Sequence, residues 1–175
     1  MGIVIDWFLT WWLRSGRYRR SRLSRWLFER RYLNMSLPAV TSLADIEVQL
    51  KQVKWTMDGP LHLYDSISYP QTVWAKKKDD CDGFAILATK LLQQWQPDTR
   101  PVLITAMLRP AQNSHTVCSF NAPGGSLWFF DNSSLRQGNF EKYADIVEQI
   151  KSNFKLICWD VVDPDTLRTI EFHRR

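Results

Sequence analysis

Residues 76–95 read KKKDDCDGFAILATKLLQQW, and the helix they announce organises everything around it. Phe84, Ala88, Leu91, Leu92 and Trp95 share one helical face, and Pro97 stops the run. A helix is therefore predicted from Asp82 onward, with Cys81 at its mouth. A thiol is usually buried as a small apolar filler or spent on a disulfide, yet this one stands among Asp79, Asp80 and Asp82. The N–H groups and dipole of a helix N-terminus favour the thiolate. Three neighbouring carboxylates oppose it, so a base or a cation must come from elsewhere in the chain.

Beyond Pro97 the hydrophobic period changes from helical to alternating. PVLITAML (101–108), HTVCSF (115–120) and SLWFFDN (126–132) are β-branched or aromatic runs separated by RPAQNS and NAPGGS, and they predict antiparallel strands. A helix is predicted over 140–153, capped by Asn139 and burying Tyr143, Ile146, Val147 and Ile150. FKLICWDVV (154–162) and TLRTIEF (166–172) close the chain as strands. Upstream, Leu43, Ile46, Leu50 and Val53 predict a helix of three turns ended by MDGP (57–60), and 61–75 reads as a loop. Helices followed by a meander of strands give an α+β layout rather than alternating βαβ units.

The chain has three histidines, His62, His115 and His173, and three cysteines, Cys81, Cys118 and Cys158, with no CxxC pair. Neither a disulfide framework nor a thiolate zinc site is indicated. Cys118 and Cys158 lie in apolar runs and read as core fillers. His115 opens a predicted strand and Asp131 ends the next, which can set the two side by side at the rim of a sheet. There the imidazole would take the Cys81 proton, the carboxylate would orient the imidazole, and the Cys81 N–H could serve an oxyanion. Asn132 is the neighbouring alternative, and alternation allows only one of the pair to face His115; Asp131 is the expected partner. Trp74 and Gln71 either line the cleft or cap the core, and Lys76, Lys77 and Lys78 read as a solvated run.

DDCDGFA with its following helix, SHTV 34 residues after the cysteine and WFFDNS 16 beyond that resemble the Cys, His, Asp order of the transglutaminase-like superfamily. Within it, the chain is most similar to the bacterial transglutaminase-like cysteine proteinases. Pro70, eleven residues before Cys81, and KQVKWTMD (51–58), which resembles their preceding helix and its Asp, extend the likeness to residues 43–135. The resemblance implies a papain-like fold, with the nucleophile at the N-terminus of a helix packed on an antiparallel sheet. It also implies Cys81 as nucleophile, His115 as base, Asp131 as orienting acid, and calcium held through Asp80 and Asp82, a metal that catalysis would not strictly require. The chain departs from the pattern at Asp79, where a Gly is usual, and at Thr72, where a Glu is usual.

Charge is distributed unevenly. Residues 1–36 hold eight arginines against Asp6 and Glu29, so this segment carries +6 while the whole chain carries +5. The apolar run 3–13 is about half the ~20 residues a bilayer crossing needs, and arginines follow rather than precede it, so no cleavable signal is read. Leu23, Trp26, Leu27 and Arg30 fall at helical spacing, an apolar stripe beside arginines. The expected division is a basic, Trp-rich arm, 1–36, and a transglutaminase-like domain, 37–175. Residues 1–31 are expected either to dock on the domain or to meet an anionic membrane surface or an acidic protein. Nucleic acid is set aside for want of a binding motif, and a cytoplasmic or peripheral membrane location is expected. The expected activity is hydrolysis of amide bonds in a protein or peptide substrate. A transferase using the same triad and a non-catalytic scaffold working through the arm are the alternatives.

Overall fold

The structure, a computed structural model, describes residues 2–11, 16–57 and 66–174. Its frame is a six-stranded, wholly antiparallel sheet in the order β6-β5-β4-β3-β7-β8. The strands are β3 (Val102–Arg109), β4 (His115–Asn121), β5 (Leu127–Asp131), β6 (Ser134–Phe140), β7 (Lys155–Val162) and β8 (Thr169–Arg174). Alternation splits the side chains between two cores. Leu103, Cys118, Phe120 and Phe130 face helices α3 (Leu43–Leu50), α4 (Pro70–Lys76) and α5 (Cys81–Trp95). Ile104, Val117 and Phe129 face α6 (Tyr143–Lys151). The fold is α+β, with helices packed on both faces of an antiparallel sheet.

Helix α5 is the centre of the larger core. Asp80 caps it, its carboxylate accepting from the Asp82 N–H at 2.9 Å. Phe84, Ile86, Leu87, Leu91 and Leu92 are all buried, so the helix is apolar on more than one face because other elements cover it opposite the sheet. Gln96 is extended, as the residue before a proline must be, and the helix ends there.

Several expected elements differ. The helix at 43 ends at Leu50, after which Lys54–Trp55 (β1) pairs in parallel with Lys78–Asp79 (β2), so KQVKWT is a turn and a short strand. Part of the expected loop is helix α4, whose Pro70 sits at the first turn, where its missing N–H costs nothing. Asn139 does not cap a helix: it lies within strand β6, and α6 begins at Tyr143, with Asp145 reaching back to the Lys142 N–H at 3.0 Å. His62, Asp58 and MDGP beyond Met57 lie outside the described residues.

The N-terminal segment packs with its faces reversed. Helices α1 (Gly2–Trp11) and α2 (Tyr18–Ser24) precede a π-helical turn, Arg25–Glu29. Arg17, Ser21, Arg25 and Glu29 are buried, while Leu23, Trp26, Leu27 and Phe28 are exposed. A spacing of four suits neither a pure α-helix nor a pure π-helix, but an α-helix running into a π turn averages close to it and keeps one stripe inward. The four buried polar side chains all find partners in the rest of the chain. The Arg25 guanidinium donates to the Ile67 and Ser68 carbonyls, both at 2.7 Å, and the Ile67 N–H donates to Ser21 Oγ at 3.0 Å. Glu29 accepts from the Tyr69 N–H at 2.7 Å and from Ser68 Oγ at 3.2 Å. The segment thus satisfies the backbone that leads into α4. Among the described residues no helix is long and apolar enough to cross a membrane.

Candidate active site

Cys81 is the first residue of α5 and is partly exposed, whereas Cys118 and Cys158 are fully buried. Burial pushes the Cys118 thiol well above its ordinary pKa and leaves it a core filler. The acidic residues around Cys81 are buried rather than solvated: Asp79, Asp80 and Asp82 are each under a tenth exposed. The residue that makes room for the Asp79 side chain is Gly83, where any Cβ would collide with it. The Asp79 carboxylate accepts from the Asp80 N–H at 2.9 Å.

His115 begins β4 and Asp131 ends β5. The two strands pair antiparallel with Cys118 opposite Phe130, which brings the start of one beside the end of the other. The imidazole Nε2 lies 2.7 Å from Asp131 Oδ1. The hydrogen bond from His115 holds the Asp131 carboxyl below its ordinary pKa; the nearby charges of His115 and Arg136 add to this, and together they outweigh partial burial. In the neutral imidazole, Nε2 donating to the carboxylate leaves Nδ1 as the nitrogen with the lone pair. Asn132 does not face the histidine: it takes the positive φ of 50° at the start of the two-residue turn into β6, a conformation that Asn tolerates. His173 lies on the far edge strand, stacked on Trp159 with ring centres 4.1 Å apart, and takes no part.

The cation that the acidic cluster calls for comes from the N-terminal segment. Arg17 forms a buried ion pair with Asp82 and also donates to Thr105 Oγ1 at 3.1 Å and to Thr116 Oγ1 at 3.4 Å. The two threonines are register partners on β3 and β4, with their hydroxyls 3.1 Å apart. One guanidinium therefore ties the residue after Cys81 to the residue after His115. Beside it, the Tyr18 hydroxyl donates to Asp160 Oδ1 at 3.0 Å, and burial pushes the Asp160 carboxyl up to about 7 despite that bond and the Arg17 charge.

Asp80 and Asp82 are the residues that would hold a calcium ion beside Cys81. The ligating atoms of Asp80, Cys81 and Asp82 lie within 4.8 Å of one another. One oxygen of the Asp82 carboxylate is engaged by Arg17, and one oxygen of the Asp80 carboxylate caps α5. Sequence reasoning identified the need for a cation but not Arg17, which lies 65 residues from Asp82 and sits in a run of arginines that reads as solvated. The signal was its place at the head of the 17, 21, 25, 29 polar stripe.

A cleft of 720 Å³ lined by Asn121, Leu127, Tyr143, Trp159, Glu171 and His173 lies at the opposite end of β4 from His115, and none of the three candidate residues lines it.

No protein-family model matches the chain, and no curated protein matches it. Among solved structures it is similar to LapG of Legionella pneumophila, at 19% identity and a TM-score of 0.47, covering 67% of this chain and 62% of that one. It is also similar to EGTA-treated LapG of the same organism, at 15% identity and a TM-score of 0.48, covering 75% and 69%. A Cytophaga hutchinsonii protein described as a candidate cysteine protease aligns at 15% identity and a TM-score of 0.40, over 93% of this chain and 62% of that one. The chain thus spans less than two thirds of the length of the first and third of these.

Proposed function

We propose that the chain is a thiol-dependent hydrolase of amide bonds in proteins or peptides, with Cys81, His115 and Asp131 as its triad. The observation that carries this reading is the 2.7 Å contact between His115 Nε2 and Asp131, at the sheet end that Arg17 ties to the mouth of α5. Asp131 accepts from Nε2 and holds the imidazole in the tautomer whose Nδ1 is basic. Nδ1 takes the Cys81 proton, the thiolate adds to the scissile carbonyl, and the Cys81 N–H donates to the oxyanion. Collapse expels the amine, which receives the proton from the imidazolium. Water, deprotonated by the same imidazole, then adds to the thioester, releasing the acid and the thiol. Arg17 offsets the Asp82 charge and so removes one of the groups that would keep the thiol protonated.

A mixed peptide pool incubated with the full chain, a tagged primary amine and either calcium or EGTA tests the reading. Shortened peptides at equal rates in both conditions are expected, with none from Cys81→Ala. Tagged peptides would replace hydrolysis with transfer. Peptides left unchanged in both conditions would refute the reading.

A further inference from the structure

The reversed packing of the N-terminal segment leaves a surface that the hydrolase reading does not use. Leu23 is 57% exposed, Trp26 56%, Leu27 52% and Phe28 69%, on a stretch whose opposite face is fixed inside by Arg17, Ser21, Arg25 and Glu29. Val4, Trp7 and Trp11 of α1 are exposed as well. A water-soluble amphipathic helix buries its apolar side and solvates its polar one; this segment does the reverse. The arrangement is not loose, because Tyr18, Ser21, Arg22, Arg25 and Glu29 each make hydrogen bonds to residues at or beyond position 67. The apolar side is therefore presented rather than left over, and contiguous exposed apolar surface marks an interaction site.

The charges around the patch select its occupant. Arg19, Arg20, Arg22, Arg30 and Arg31 are all exposed. Arg30 lies over the Trp26 ring at 5.9 Å and Arg31 over the Tyr32 ring at 4.9 Å, so cations sit at the rim of the aromatic surface. A second copy of the chain docked through the same face would set these arginines against their equivalents, and like charges brought together oppose association. An anionic bilayer surface accepts both features: the tryptophans and leucines enter the headgroup and acyl boundary, and the arginines meet lipid phosphates and carboxylates. We infer that residues 19–31, with the exposed side of α1, dock the protein flat on an anionic membrane surface and so hold the thiol site at the bilayer.

Flotation of the full chain tests this, using vesicles of phosphatidylcholine alone and vesicles in which about a third of the lipid is phosphatidylserine. Flotation is expected with the anionic vesicles, weakening as salt is raised, and little with the neutral ones. Arg19→Ala with Arg31→Ala is expected to lower anionic binding on the order of thirtyfold, from the loss of two charges near the surface. Trp26→Ser with Leu27→Ser is expected to lower it at least as far, with the thermal midpoint of either variant unchanged because all four side chains are exposed. Equal binding to both lipids, no binding to either, or unaltered binding by the Trp26/Leu27 variant would overturn the inference. So would sedimentation showing a dimer that the Trp26/Leu27 change dissolves while vesicles remain unbound.

Discussion

Two segments cover the sheet around the thiol in opposite ways. Helix α5 is held by shape and area: Phe84, Leu87, Leu91 and Leu92 are almost completely buried, each contributing about 1.5–3 kcal/mol on the usual scale for burying a large apolar side chain. The 17–29 segment is held by hydrogen bonds and the Arg17–Asp82 ion pair, and Leu23, Trp26, Leu27 and Phe28 face outward. Area-driven packing tolerates substitution by anything of similar volume. A polar network does not, because removing one member leaves its partner buried and unsatisfied. The difference predicts two kinds of fragility.

The largest effect is expected at Arg17. Arg17→Met leaves Asp82 buried without its counter-charge, and denaturant unfolding should show a loss of about 4 kcal/mol. Adding Asp82→Leu should return most of it, since a buried pair replaced by apolar groups is often neutral. Leu91→Ala in α5 should cost about 3 kcal/mol through the cavity left behind, and no second substitution of charge should rescue it. A double variant that recovered nothing would erase the distinction between the segments.

Asp160 sharpens the comparison through pH. The unfolded chain ionises this carboxyl in the ordinary range, while the folded protein keeps its proton up to about 7, so the native state binds the extra proton between those limits. Stability is therefore fullest below the ordinary carboxyl pKa and falls as pH rises toward 7. Relative to Asp160→Asn, the wild-type protein should lose about 2–3 kcal/mol between pH 5 and pH 8; parallel curves would show that the Asp160 carboxyl ionises alike in the folded and the unfolded chain. The smallest effect is expected at Trp26→Ala: despite the size of the side chain, its exposure should hold the change within about 0.5 kcal/mol. A loss as large as that at Leu91 would mean that the apolar side is buried after all.

The same contrast explains what the sequence made legible. Helix α5 and strands β3 to β5 follow one period each, so their place in the fold could be read directly, and Cys81, His115 and Asp131 fall at element ends that those periods define. Strand β6, SLRQGNF, is an edge strand with little apolar alternation and carries no such signal. Helix α4 is seven residues long, too short for periodicity to distinguish it from a loop, and its Pro70 was the one usable mark. In the N-terminal segment the hydrophobic pattern was present but pointed the wrong way. Its inward face is chosen by donors and acceptors that exist only once residues 67–69, Asp82 and Asp160 are in place, so the polar stripe at 17, 21, 25 and 29 marks a face without saying that it turns inward. That is also why the cation at the site was anticipated as a need and not as Arg17.

The thiol is the centre of the account, and its reactivity can be measured directly. Limiting iodoacetamide, quenched over time and followed by peptide mass mapping, gives the alkylation rate at each cysteine of the folded chain, with His115→Ala as the comparison. Cys81 should be alkylated far faster than Cys118 and Cys158 in the wild-type protein, and the substitution should abolish most of that advantage. A Cys81 rate that is no faster than the two core cysteines, or that is unchanged when His115 is removed, would contradict the triad.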